Sequence, residues 1–292
     1  MEDILTRLQN GPVIVADGAM GTMLQAAGLP SGLSPEAWLL ESPAPVVDVH
    51  RAYIAAGSEM ILSCTFGGTR LRLERAGLAE RVADVNRQAV DIARQAAADR
   101  AYVAGDIGPL GELLAPLGKL SYQEAVDIFA EQAAALSDAG VDLLYVETMS
   151  ALEEMRAALE GIQQTGSGLP VFATFSFDRH GRTNMGVKPE LAAEMLLEMG
   201  ATAIGANCGA TLEMTEGAIA RMHACAPETP LIAKPNAGMP HLEGRQVVYD
   251  ATPADMAAYA RKFVALGARV VGGCCGSTPE HIRAIAEAVM PR

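Results

Sequence analysis

The chain has 292 residues, 22 Lys and Arg against 35 Asp and Glu, and a formal charge of −13. Half of it is apolar and a fifth is charged, enough for a buried core and too little charge for disorder. That acidity excludes a nucleic-acid binder and disfavours an anionic membrane surface, since both need clustered Lys and Arg. Apolar runs all fall short of the ~18 residues of a membrane span. Met1-Glu2-Asp3 opens no secretory signal, and five scattered cysteines do not make a disulfide scaffold. A reducing, cytoplasmic setting is expected.

In chain order, short apolar runs predict strands at Val13–Ala16, Met60–Ser63, Tyr102–Gly105, Val141–Val146, Val171–Phe175, Thr202–Ala206, Leu231–Ala233 and Val270–Gly272. Several are apolar on successive residues, as parallel strands covered on both faces are. Helix punctuation fills the gaps. Ser121 with Glu124 and Ser150 with Glu153 have capping-box spacing. Thr252-Pro253 and Thr278-Pro279 set a capping hydroxyl before a first-turn proline. Ala56-Gly57, Ala139-Gly140, Met199-Gly200 and Leu266-Gly267 end helices on glycine. Eight β-then-α units over residues 1–292 predict a single (β/α)8 barrel, with an open doubly wound sheet as the competing fold.

Polar residues gather just after the strands: Asp17-Gly18, Thr65-Phe66-Gly67-Gly68, Asp106, Glu147-Thr148, Asn207-Cys208-Gly209, Lys234-Pro235-Asn236 and Gly273-Cys274-Cys275-Gly276. In a barrel these ends meet at one mouth, the usual place of an active site. The longest loops, Ala26–Pro45, Ile107–Leu120 and Ala237–Ala251, are expected there as well. Leu113, Leu114 and Leu117 are read either as a contact patch on that mouth or as cover for the barrel. His180 and His241 fall near mouth loops, and His281 reads as first-turn helix surface.

Cys208, Cys274 and Cys275 form the strongest signal. Adjacent residues on a strand face opposite ways, but glycines on both sides of Cys274-Cys275 let the backbone turn and aim both sulfurs inward. With Cys208 at the same mouth, three sulfur ligands and a free fourth position describe a catalytic zinc site. Buried small side chains or a vicinal disulfide are the competing readings. Three thiolates suit zinc to holding a substrate thiolate for alkyl transfer. Asp17 and Glu147 are a general acid/base pair, a clamp for a substrate ammonium, or, for Asp17, a helix cap. Lys234 is either a Schiff-base lysine or the partner of a carboxylate. Cys64 lies at the mouth without thiol partners, and Cys225 reads as packing.

These segments resemble the homocysteine S-methyltransferase family. Asp17-Gly18-Ala19-Met20-Gly21-Thr22, Thr65-Phe66-Gly67, Gly105-Asp106-Ile107-Gly108-Pro109, Glu147-Thr148-Met149, Gly205-Ala206-Asn207-Cys208-Gly209, Ala233-Lys234-Pro235-Asn236-Ala237-Gly238 and Gly272-Gly273-Cys274-Cys275-Gly276 occur in family order. The match is most similar to the homocysteine-binding module of cobalamin-dependent methionine synthase, and less so to betaine-homocysteine methyltransferase. It implies a (β/α)8 barrel with zinc on Cys208, Cys274 and Cys275, the homocysteine sulfur on zinc, and the substrate's amino-acid end around Asp17, Gly18, Glu147 and Asn207.

Two departures bear on the methyl donor. The loop Cys64-Thr65-Phe66-Gly67-Gly68-Thr69 lacks the tyrosine that betaine-dependent members carry after Thr-Phe, and Cys64 stands where synthase relatives have asparagine. Read as one barrel ending at Arg292, the chain is expected to receive its methyl group from methylcobalamin on a separate corrinoid protein. The alternatives are a small donor (a betaine, S-methylmethionine or a sulfonium) or a non-catalytic zinc- or thiol-binding regulator.

Overall fold

In the computed structural model, which describes residues 2–209, 211–244 and 246–290, strands form where the apolar runs predict them. They are β1 (Ile14–Val15), β2 (Met60–Leu62), β3 (Tyr102–Ile107), β4 (Leu143–Met149), β5 (Val171–Phe175), β6 (Ala203–Cys208) and β7 (Leu231–Pro235). An antiparallel hairpin of β8 (Pro240–Glu243) and β9 (Gln246–Tyr249) follows, then β10 (Ala268–Val271). Eight of them form one parallel sheet in the order β1-β10-β7-β6-β5-β4-β3-β2. The sheet curls until Ala16 bridges Met60, with Asp17 N–H on the Met60 carbonyl at 2.9 Å. Helices flank this nearly closed barrel, so the fold is of the (β/α)8 type and the open sheet is excluded.

Burial on both faces explains the unbroken apolar runs. Ile14, Ala16, Met60, Leu62, Tyr102, Ala104, Leu143, Tyr145, Phe172, Ala203, Ile232 and Val270 share one cluster, which fills the barrel. Their strand neighbours Val15, Ile61, Val103, Leu144, Ala173, Ile204 and Val271 face the helices in a larger cluster. The helix Ile4–Asn10 adds Ile4 and Leu8 to the inner cluster and closes one end of the barrel. At seven residues it is too short to announce itself by periodicity.

Most punctuation holds. Ser121 caps Tyr122–Asp138 in a capping box, and Thr252 with Asp255 does the same for Pro253–Ala265. Gly57, Gly140, Gly200 and Gly267 all have positive φ just beyond helix ends. Ser150 with Glu153 is a correction, because Leu152–Thr165 starts from Ala151 without a side-chain cap. The span Ala26–Pro45 is also more ordered than expected. Ser34-Pro35 opens the helix Pro35–Glu41 through a hydroxyl cap on Ala37 N–H, and Pro43–Ala55 follows directly. Among the described residues, no helix is long and apolar enough to cross a membrane.

Candidate active site

Inside the barrel, the inward-facing positions change from apolar to polar as each strand climbs. Ala104 is followed two residues later by Asp106, Tyr145 by Glu147, Gly205 by Asn207 and Ile232 by Lys234, because every second residue faces inward. The same step brings Asn236 above Lys234 and Cys274 beyond Val270.

β6, β7 and β10 are adjacent, and their ends are laced together past the regular ladder. Cys208 is in register with Pro235. Cys274 N–H donates to the Pro235 carbonyl at 2.7 Å, and Ala237 N–H to the Cys275 carbonyl at 2.9 Å. After β10 the glycine pair leaves the strand, and Ser277 closes a turn onto the Cys274 carbonyl at 3.1 Å. Gly276 takes φ +77°, and Cys208 itself sits at φ 56°. A non-glycine residue held there costs about 1–3 kcal/mol and persists only where its surroundings enforce it. The result is that the Sγ atoms of Cys208, Cys274 and Cys275 all lie within 4.8 Å of one another.

Hydrogen bonds from Cys274 and Cys275 pull the Cys208 thiol down to about 3. Bonding to Cys208 pushes Cys275 up to about 11 and Cys274 well above its usual range. Asn236 Nδ2 donates to the Gly209 carbonyl at 2.8 Å, yet its Oδ1 is buried with no hydrogen-bond partner. Three convergent soft donors beside an orphaned oxygen are a fitting seat for zinc.

The carboxylates have distinct surroundings. Asp17 is 2% exposed; its Oδ1 takes the Lys234 ammonium at 2.8 Å and its Oδ2 the Leu62 N–H at 2.8 Å. It caps no helix, since Gly21–Ala26 starts from Met20 without a side-chain bond. Burial opposes the Lys234 charge, but Asp17 and Glu147 outweigh it and raise its pKa. Lys234 is thus a carboxylate partner, as one of its two readings anticipates. Glu147 is buried and accepts from Asn207 Nδ2 at 3.0 Å. Burial raises it to about 7 against the pull of Lys234, with Asp17 and Cys208 pushing the same way. Asn207 Oδ1 accepts from Thr148 N–H at 2.8 Å and the Thr174 hydroxyl at 2.7 Å, so its amide is fixed in orientation. Gly18 has no room for a side chain: a Cβ would lie 2.6 Å from Ser277 Oγ and 2.7 Å from Tyr53 Oη.

Other residues fall away from this centre. Cys64 is buried, its thiol pushed well up by burial, and Cys225 ends the helix Leu212–Cys225 exposed to solvent rather than packed. His180 is exposed on a loop, and His241 is exposed on β8. His281 is a correction: it is buried, with Nε2 on the Ala251 carbonyl at 2.9 Å. Three neighbours of the site escaped sequence reasoning as functional residues. Asn236 stood in a quoted motif without a role. Asp106 is buried with one unpartnered oxygen, its carboxyl raised by burial and by Glu147. Tyr249 arrives on β9, where only a hairpin could deliver it.

Fold and cysteines together define a barrel with three cysteine sulfurs gathered where β6 and β10 end. The chain belongs to the homocysteine S-methyltransferase family, whose model matches residues 14–289. It is 34% identical to methionine synthase of Mycobacterium tuberculosis, covering 95% of this chain but only 24% of that protein. The chain therefore spans about a quarter of that relative's length. It is also 34% identical to betaine–homocysteine S-methyltransferase 1 of Rattus norvegicus, over 99% of this chain and 75% of that one. Among solved structures, the metallated form of the homocysteine methyltransferase MmuM of Escherichia coli superposes with a TM-score of 0.83 at 26% identity, covering 98% and 99% of the two chains.

Proposed function

We propose that the protein transfers a methyl group to the thiolate of homocysteine, giving methionine, with zinc held by Cys208, Cys274 and Cys275. The convergence of three thiols from two strand ends carries this reading. The orphaned Asn236 oxygen supports it, as does the metallated form of the E. coli relative. Zinc, when bound, supplies an open position at which a substrate thiol is deprotonated near neutral pH.

The chain's own residues orient the amino acid. Glu147, steadied by Asn207, accepts the α-ammonium. Asp17 adds negative charge nearby while its oxygens stay on Lys234 and Leu62. The Gly18 backbone takes the carboxylate on the side away from Ser277 and Tyr53, which fill the place of a Cβ. In the transfer, a sulfur lone pair forms the S–CH3 bond, the carbon–donor bond breaks with its pair on the leaving group, and the thiol proton goes to solvent.

We assign the donor to methylcobalamin on a separate corrinoid protein. Leu113 and Leu117 are exposed in the segment after β3, and Met239, Leu242 and Val247 in or beside the hairpin after β7, and exposed apolar side chains of this kind suit a docking protein. The ring of Tyr249, close to the thiols, favours a second reading in which a small onium donor is used directly. The test incubates zinc-loaded protein and homocysteine separately with methylcobalamin, glycine betaine, S-methylmethionine and dimethylsulfoniopropionate. Methionine is expected from methylcobalamin and not from betaine. Rapid turnover with an onium and none with a corrinoid would reverse the donor assignment.

Glu147 gives the substrate site a pH dependence. Ammonium binding favours the ionised carboxylate, so affinity should rise as pH rises through about 7 and fall below it. Calorimetry with methionine, which has no thiol to titrate, isolates this effect. Glu147→Gln should weaken binding roughly tenfold at pH 8 and flatten the profile. An unchanged profile would remove Glu147 from the ammonium site.

A further inference from the structure

The α-ammonium of the proposed substrate brings three N–H donors into a buried site. Glu147 gives one oxygen to Asn207 Nδ2 at 3.0 Å, which leaves the other for the ligand. Asp17 has none to spare, because Lys234 Nζ and Leu62 N–H each hold one of its oxygens at 2.8 Å. A charged donor kept from water without an acceptor is costly. A second acceptor is wanted, and β3 carries one.

Asp106 is 6% exposed, and its Oδ1 is buried without a hydrogen-bond partner. Strand register fixes its place. It stands one pleat above Ala104, the partner of Leu62, on whose N–H Asp17 rests. On its other side it is level with Tyr145, one pleat below Glu147. Ala104 and Tyr145 belong to the cluster inside the barrel, and alternate residues share a face, so Asp106 and Glu147 turn inward too. Asp106 therefore lies on the wall between the other two carboxylates.

Its backbone is clamped from behind. Asp106 N–H meets Ser63 Oγ at 3.0 Å, and its carbonyl accepts from the Thr65 hydroxyl at 2.7 Å and from Gln132 Nε2 at 3.3 Å. Ser63, Thr65 and Gln132 are all buried. Three polar side chains are thus spent on holding the main chain, while the carboxylate oxygen above them stays unmet. Among the described residues, Lys234 is the only buried lysine or arginine, and it sits on Asp17. Burial and then Glu147 push the Asp106 carboxyl well above its usual range, as expected of an acid short of a cation.

We propose that Asp106 is a substrate-binding residue that accepts a second N–H of the homocysteine α-ammonium beside Glu147, so that the site selects thiols bearing a free α-ammonium. This rests on the methyl-transfer reading. Binding sets one cation between two carboxylates that Lys234 does not neutralise, and a proton held by them leaves to solvent. A buried group without a partner costs stability, and such costs are kept where a ligand uses the group.

The experiment measures by calorimetry, on zinc-loaded protein at pH 8, the affinities of methionine and of 4-(methylthio)butanoate, which lacks only the ammonium. Asp106→Asn keeps the shape of the side chain and removes its charge. It should weaken methionine about tenfold, the worth of a charged hydrogen bond, and leave 4-(methylthio)butanoate unchanged. Its thermal midpoint without ligand should equal or exceed that of wild type, because a buried unpaired oxygen has lost its charge. Unchanged methionine affinity, or equal losses for both ligands, overturns the proposal. So does a variant that melts well below wild type or does not fold, since the carboxylate then serves the fold. Failure of the methyl-transfer reading shows separately, as wild-type protein that forms no methionine from homocysteine with any donor. Wild-type protein that binds the two ligands equally refutes the ammonium site as a whole.

Discussion

Alanine at Cys208, Cys274 or Cys275 is expected to reduce bound zinc from about one equivalent per chain to almost none at micromolar metal. A closed structural zinc site with four ligands is worth about 10–16 kcal/mol, so one sulfur donor carries roughly 2.5–4 kcal/mol, or about 10²- to 10³-fold in affinity. The loss should be similar for all three, because their sulfurs form one cluster. Cys225→Ala should keep its metal, since that side chain is exposed at a helix end. Metal analysis after dialysis against a weak chelator decides the matter. Full occupancy in Cys275→Ala would end the assignment.

Lys234→Met should destabilise the fold by about 3–5 kcal/mol, the usual result of stranding a buried charge. Lys234 and Asp17 are each 3% exposed at the side chain and 2.8 Å apart, so solvent cannot take over for the lost partner. Glu147 would also lose the cation that holds its pKa down. Asp17→Asn combined with Lys234→Met should recover much of the loss, because no stranded charge remains. Urea unfolding of the single and double variants measures this. A Lys234→Met cost under about 1 kcal/mol would mean that Asp17 is satisfied by other means.

The fold was legible because parallel strands buried on both faces leave continuous apolar runs, such as Leu143–Val146, that no amphipathic surface helix would produce. The cysteine trio was legible because Gly272-Gly273 before Cys274-Cys275 permits a turn. Features depending on tertiary contact were not. The capping spacing at Ser150 and Glu153 is genuine, but the chain enters that helix one residue later. His281 follows a proline in a first turn and looks exposed, yet the Ala251 carbonyl reaches it from another loop. The hairpin that carries Tyr249 has strands of only four residues each, too short to stand out from a loop in the sequence. The pairing of Asp17 with Lys234, 217 positions apart, leaves no local trace.

The barrel seam is closed partly by a side chain. β1 is two residues long, and where its ladder to β2 would continue, the Asp17 side chain takes the Leu62 N–H in place of a backbone carbonyl. A carboxylate therefore does the work of a strand at the joint where the cylinder closes. Opening of the joint frees that amide at once, so hydrogen–deuterium exchange at Leu62 reports the breathing of the barrel directly above its apolar interior. It follows that Asp17 variants should change two things together, the field felt by an ammonium at the proposed site and the frequency with which the seam parts. Exchange at Leu62, measured with and without substrate, separates them.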